Sequence, residues 1–372
     1  MDKLFFRILA PLWGVAVLLN LIMPNKNFSE SENRYLAGLP VYSTKTLLSG
    51  KYMQSIDEYV NDHFLGRDHW IAMQSSLEYS IGKRENNGVF ICNGALMADI
   101  ETPKDDVVQA NIRGIKAFVQ QYNKPVYLML VPSAAAIQTH KLPLFAQSWD
   151  QIGFVDRVCT ELGDTVKPVK LFETLTAHKD DYIYYRTDHH WTTDGAFLAY
   201  QKACEVMGLP VKTADDFKID TVSDSFNGTL YSKSGVRNIL PDSIKTYSIG
   251  KITGFSVYDG KKTTNYPNLY FQEFLSQKDK YSYFLGTNQP LVTIHTASNS
   301  GKRLLVFKDS YAHSLAPLFA ADYSEISLVD MRYINGGLTK IVNPAQFDDV
   351  LFVYSVDVFA QQNHLVKLER NS

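Results

Sequence analysis

Val126-Tyr-Leu-Met-Leu-Val131 is an unbroken apolar run. A strand with one wet face alternates polar and apolar residues, so a continuous run fits a strand covered on both faces of a parallel sheet. Upstream, Val108, Ile112, Ile115, Val119 and Tyr122 recur at helical spacing and predict a helix over Val107–Tyr122. Thr102 reads as its N-cap, Pro103 as its first residue, and Asp105 and Asp106 as its acidic first turn. Downstream, Val169–Phe172, Leu304–Phe307, Ile326–Val329 and Val350–Ser355 read as strands, and Gly153–Leu162 and Asp194–Met207 as helices. Strands alternating with helices predict an open, mostly parallel α/β sheet flanked by helices.

The flanks read differently. Lys51–Gly82 carries an amphipathic pattern, read as two helices broken near Gly66, and Gly88–Gly94 reads as a strand and turn. Residues 220–288 are rich in Ser, Thr, Tyr and Gly, and predict β-hairpins and loops inserted into the α/β domain. Near the N-terminus, Leu4–Met23 is apolar except for Arg7 and Asn20. With Arg7 reaching toward the headgroups, that length suffices to span a bilayer. Lys3 and Arg7 set the N-terminus on the cytoplasmic side, and no small-x-small cleavage pattern follows. The reading is an uncleaved signal anchor at residues 1–23, a juxtamembrane linker with helices at 24–82, and an extracytoplasmic α/β domain at 83–372. The protein is therefore expected at the cell membrane as a single-pass protein.

Of 372 residues, 37 are Lys or Arg and 39 Asp or Glu, a formal charge of −2. That balance excludes a nucleic-acid binder working through bulk charge. A chain 45% hydrophobic and 20% charged is not disordered. Cys92, Cys159 and Cys204 are odd in number and form no CxxC, which argues against a disulfide framework or structural zinc and leaves room for one bridge.

Sites in open α/β sheets form at the carboxyl ends of strands. Ser310 follows the strand Leu304–Phe307 through Lys308-Asp309, at the expected start of a helix. It is placed to be a nucleophile whose own N–H faces the forming oxyanion, or to be a plain capping serine. Ser133, after Val131-Pro132, is a rival without an acidic neighbour. Thr187-Asp188-His189-His190-Trp191-Thr192 offers imidazoles beside a carboxylate, the base and orienting acid that a hydroxyl nucleophile needs. The same string also fits a polar helix-entry turn or a metal site. Manganese phosphoesterases with an Asp-His-His string need further aspartate clusters at strand ends, and none is evident.

Together, Thr187–Thr192 and the later Lys308-Asp309-Ser310-Tyr311 resemble the DHHW protein family. That family is similar to the alginate O-acetyltransferase accessory proteins (AlgJ/AlgX-like), which carry an SGNH-hydrolase-like, flavodoxin-like domain. Ser31–Ala37, Phe226–Ser232 and Leu328–Tyr333 agree with the resemblance. It implies Asp188 as acid, His190 as base and Ser310 as nucleophile, with His189 structural or a substrate contact. It implies an oxyanion hole containing the Ser310 N–H, with Gly228, Asn288, Arg332 and Tyr333 as further oxyanion or substrate candidates. The order of the motifs is permuted relative to ordinary SGNH enzymes, and Lys308 stands where glycine often precedes Asp-Ser. No metal and no cofactor is implied. The activity implied is O-acetyl transfer to a cell-surface or exported polysaccharide, with a membrane-bound O-acyltransferase as the partner supplying the acyl group. The alternatives are a carbohydrate acetylesterase with the same residues and a non-catalytic export or assembly protein.

Overall fold

The computed structural model describes residues 34–371 without a break, residues 26–29 and scattered positions before them. The anchor expected at Leu4–Met23 falls, isolated positions aside, outside the described residues; among the described residues no helix is long and apolar enough to cross a membrane. Two compact units are present. One takes the chain up to Asn87 together with Tyr231–Asn238; the other takes Gly88–Leu230 and the chain from Ile239 onward.

The first unit contains helices α1 (Thr44–Leu48), α2 (Lys51–His63) and α3 (Arg67–Ser80). Gly66 separates α2 from α3 with φ +68°, a left-handed conformation that a side chain would strain.

The second unit opens with a hairpin, β1 (Val89–Ile91) and β2 (Leu96–Ala98), followed by α4 (Asp105–Tyr122), β3 (Val126–Val131), α5 (Gln151–Leu162), β4 (Lys167–Pro168) and α6 (Thr193–Met207). Strands β5 (Lys218–Phe226), β6 (Asp242–Ser248), β7 (Ile252–Tyr258), β8 (Thr263–Tyr266), β9 (Leu291–Thr296), β10 (Arg303–Lys308), β11 (Glu325–Val329) and β12 (Asp349–Ser355) follow, with short helices and turns between several of the elements. Eight of these strands form one sheet in the order β8-β7-β9-β11-β10-β12-β3-β4. The five from β11 to β4 run parallel. Strands β9, β7 and β8 extend the sheet antiparallel beyond β11. Within 220–288, then, β5 and β6 pair with each other, while β7 and β8 join the main sheet.

Numbered from β10, the parallel strands lie in the order 2-1-3-4-5, that of a doubly wound sheet with its switch point between β10 and β12. In the chain the fourth and fifth of these strands come first, so the connectivity is a circular permutation of that order.

The core explains the apolar runs. Tyr127, Met129 and Val131 pack on one face with Leu304, Val306, Leu351 and Val353. Val126, Leu128 and Leu130 pack on the other with Leu305, Phe307, Val350 and Phe352. Two local expectations are corrected. Helix α4 begins at Asp105 behind Lys104, with no side-chain cap, so Thr102 is not the N-cap. The strand expected at Val169–Phe172 is the short β4, and a helix occupies Phe172–Ala177. Pro168 offers no N–H to a further strand, which suits the edge position of β4. Cys92, Cys159 and Cys204 are all free thiols.

Candidate active site

Asp309 and Ser310 follow β10 at the carboxyl edge of the sheet. Asp309 is buried and stitches the turn to β12: its N–H donates to the Val353 carbonyl (3.1 Å), and its carboxylate accepts the Ser355 N–H (2.7 Å) and the Tyr311 N–H (3.0 Å). Ser310 is half-buried. Its carbonyl accepts the His313 N–H (3.2 Å) and the Tyr281 hydroxyl (3.1 Å). Its own N–H donates to no group among the described residues. The helix expected after it, α7 (Ala312–Leu315), is a single turn continued by 3-10 turns to Ala321, so any dipole contribution is small.

The imidazoles come from a narrow strap. Tyr184 bridges Trp191, the Tyr185 N–H donates to the His190 carbonyl (3.2 Å), and Arg186–His189 form the turn between them. Asp242, at the start of β6, holds this turn from behind. Its carboxylate accepts the Tyr182 hydroxyl, the Arg186 and Thr187 N–H groups (2.8 Å each) and the Thr187 hydroxyl. Burial pushes the Asp242 carboxyl up.

Asp188 is buried and receives four donors. One oxygen accepts His190 N–H (3.0 Å) and Nδ1–H (2.6 Å); the other accepts the Thr229 N–H (2.8 Å) and hydroxyl (3.0 Å). A carboxylate only accepts, so the proton is on His190 Nδ1 and the lone pair is on Nε2. That Nε2 lies 2.6 Å from Ser310 Oγ. Burial pushes the Asp188 carboxyl up, but the His189 and His190 imidazoles and the hydrogen bonds outweigh it and hold it well below the usual range. The Tyr281 ring stacks on His190 at 3.9 Å and 9°. The buried Trp191 indole donates to the Tyr311 carbonyl and to Ser314 Oγ, both 3.1 Å, and so ties the strap to the serine's segment.

The other sequence candidates are distributed around this centre. His189 Nδ1 is 2.8 Å from the Thr229 hydroxyl, whose own proton goes to Asp188, so His189 donates and its ring stays half-exposed beside His190. Gly228 packs under Asp188, where a Cβ would lie 2.4 Å from Oδ2; its N–H is engaged by the Thr187 hydroxyl (2.9 Å) rather than open to an oxyanion. Arg332 grips Asp330 with two bonds, 2.9 and 2.7 Å, and Tyr333 is exposed. Asn288 accepts a 2.7 Å bond from Lys308. Lys308 has no exposure and also donates to His313 Nε2 (2.8 Å) and Asp330 (3.2 Å). An ammonium only donates, so the Asn288 amide oxygen faces it and the NH2 group faces away. Burial lowers Lys308 and carries His313 well below its ordinary value, an effect the Lys308 charge deepens. The rival Ser133 is bound by Gln151 at both its N–H (3.0 Å) and its hydroxyl (2.9 Å), with no imidazole among its described partners.

Asp188, His189 and His190 offer ligand atoms within 4.8 Å of one another, the spacing of a cation site. Each Asp188 oxygen already holds two donors, and both His190 nitrogens are engaged, so a metal would have to break this network. Tyr281, Thr229, Asp242 and His313 were not singled out from the sequence. Thr229 lies in the Phe226–Ser232 stretch, but nothing near Tyr281 or Asp242 in the chain signals its place behind the imidazole or the turn.

Fold and site together define an α/β protein with a hydrogen-bonded Ser-His-Asp series at the switch point of a permuted doubly wound sheet. The chain belongs to the DHHW protein family, whose model matches residues 105–329. Among solved structures, a DHHW family protein from Eubacterium siraeum is 25% identical, with TM-score 0.65, covering 77% of this chain and 96% of its own. Bacillus cereus PatB1, described with a sulfonyl adduct, is 21% identical, with TM-score 0.62, covering 74% of this chain and 96% of its own. The O-acetyltransferase domain of Pseudomonas putida AlgJ is more distant, 17% identical with TM-score 0.48, covering 77% of this chain and 99% of its own. No curated protein sequence matches the chain.

Proposed function

We propose that the protein is an SGNH-hydrolase-like serine acyltransferase that moves an acetyl group onto a cell-surface or exported polysaccharide. The observation carrying this reading is the 2.6 Å approach of His190 Nε2 to Ser310 Oγ, with Asp188 bonded to the far side of the ring. A serine hydroxyl is a weak nucleophile until such a base takes its proton. His190 removes that proton as Oγ attacks the acyl carbonyl; the oxyanion meets the Ser310 N–H, and the imidazolium returns its proton to the leaving group. A sugar hydroxyl then gives its proton to His190 and attacks the acyl-serine, and Ser310 is restored with its proton. In this reading Leu4–Met23 tethers the domain to the outer face of the membrane, beside a membrane-bound O-acyltransferase that delivers the acyl group.

The test uses the full chain. A sulfonyl fluoride, chosen because the Bacillus cereus neighbour is described with a sulfonyl adduct, should label Ser310. An aryl acetate should give a burst of phenol and an acyl-protein, and Ser310→Ala should lose both. Acetyl appearing on an added oligosaccharide supports the transferase; free acetate alone supports the esterase. Sugar binding without any acyl-protein sinks the enzymatic reading in favour of an assembly role.

A further inference from the structure

A second feature of the carboxyl edge has no part in that chemistry. Within the second unit, the β1–β2 turn, the segment after β3 and the run Asp180–Arg186 enclose a half-open cavity of about 290 Å³. Its size is at the small end for ligand sites, and suits a single ring rather than a chain. Three of its lining residues are poised for a ligand. Gln138 is 4% exposed and gives its Nε2 to the Lys179 carbonyl (2.8 Å), while its Oε1 accepts from no described group. That oxygen is not sealed from solvent and Gln138 lines the cavity, so a ligand that fills the cavity must supply a donor in place of water. Lys141 is half-buried and forms no ion pair among the described residues; burial lowers its pKa, an effect that the Asp180 charge opposes and the Arg186 charge adds to. The Arg186 guanidinium rests over the Tyr182 ring at 4.4 Å, and Asp242, 3.8 Å away, already holds four other donors. The two lining carboxylates, Asp180 and Asp181, pair with His140 (3.1 Å) and His178 (2.7 Å).

The cavity also adjoins the reaction centre. Its wall at Tyr184–Arg186 is the run that pairs with His190 and Trp191, roughly one strand spacing of ~4.8 Å from the backbone carrying the base. A simple anion would satisfy Lys141 and Arg186 but would leave the Gln138 oxygen without a donor. A hydroxyl both donates and accepts, so a ring bearing several hydroxyls satisfies all three.

We propose that this cavity is a subsite for one sugar ring of the glycan acceptor, held through its hydroxyls by Gln138 Oε1, Lys141 and Arg186. The proposal rests on the acyl-transfer reading for its purpose, though not for its binding test. Calorimetric titration of Ser310→Ala protein with a chito-oligosaccharide and with an oligogalacturonide should show binding of at least one. Adding Lys141→Ala or Gln138→Leu should weaken it about tenfold, while Lys218→Ala, an exposed control, leaves it unchanged. In the Ser310 protein, the same substitutions should lower the share of acyl groups passed to sugar rather than to water. Lys141 is half-exposed, so its variant reports even if Gln138→Leu fails to fold. Absence of binding by both sugars overturns the subsite, as does binding indifferent to Lys141, or Lys141-dependent binding of inorganic phosphate alone. If Ser310 resists sulfonyl labelling while sugar binding still depends on Lys141, the acyl-transfer reading fails and the subsite stands.

Discussion

Replacing Asp188 with Asn tests the core of the site, because the side chain keeps its shape and only its bonding changes. Four donors converge on the carboxylate, two from His190 and two from Thr229. An amide has one accepting end, and its NH2 group must face one of these pairs. Turned toward Thr229, it leaves that N–H without an acceptor, a cost of about 1–3 kcal/mol. Turned toward His190, it makes Nδ1 accept, which moves the ring proton to Nε2, where it points at Ser310 and blocks proton removal. Both orientations also take away the negative charge that stabilises the imidazolium. The expected loss in kcat is about 10³- to 10⁴-fold, equivalent to ~4–5.5 kcal/mol at ~1.36 kcal/mol per decade, with KM little changed. Stopped-flow measurement of the burst with an aryl acetate reads the acylation step directly. An Asp188→Asn protein acylating within tenfold of wild type, while Ser310→Ala is inert, would refute the claim that the carboxylate sets the tautomer.

Other outcomes follow from the same geometry. Gly228→Ala sets a Cβ 2.4 Å from an Asp188 oxygen, so the strap must shift; activity should fall by at least a hundredfold (~2.7 kcal/mol) with a lower unfolding temperature, read by activity assay and thermal melt. Lys308→Met removes the donor that orients Asn288 and lies against Asp330 and His313; kcat should drop about tenfold or more while sulfonyl labelling of Ser310 persists but slows. Asp188 and Asp330 lie below the ordinary carboxyl range when folded, so the folded state binds fewer protons in acid than the unfolded one. Their stabilisation is complete above the unfolded carboxyl value of about 4 and is lost as pH falls through the folded values. Asp242, raised by burial, acts in the opposite sense. Urea midpoints should therefore fall below about pH 4 in wild type and fall less in Asp188→Asn. The Cys92 thiol is pushed up to about 12, chiefly by burial, and should resist alkylation at pH 8 until the protein unfolds, as a mass-shift time course would show.

The elements were legible where local pattern decides them. Val126–Val131 and Val350–Ser355 are apolar at every position or nearly so because they are buried on both faces, and periodicity reports burial directly. Helix α6 and the break at Gly66 were legible for the same reason: spacing and left-handed turns are local properties. The bounds of the edge strand β4 were not legible, because a two-residue pairing leaves almost no pattern.

Strand order was not legible. Periodicity tells which face of a strand is dry, but not which neighbour it pairs with, so the permuted order around β10 emerges only from the folded sheet. The site divides along the same line. Residue order alone puts a carboxylate and two imidazoles together at Asp188–His190 and a serine after a buried strand at Ser310. The family resemblance already names His190 over His189, but the 2.6 Å meeting of these strings, 120 residues apart, exists only in the folded chain. The fold alone also supplied Thr229 behind the acid, Asp242 behind the turn and Tyr281 against the ring. Hydrogen bonds and stacking act over a few ångströms of space, and only the closed chain sets those separations.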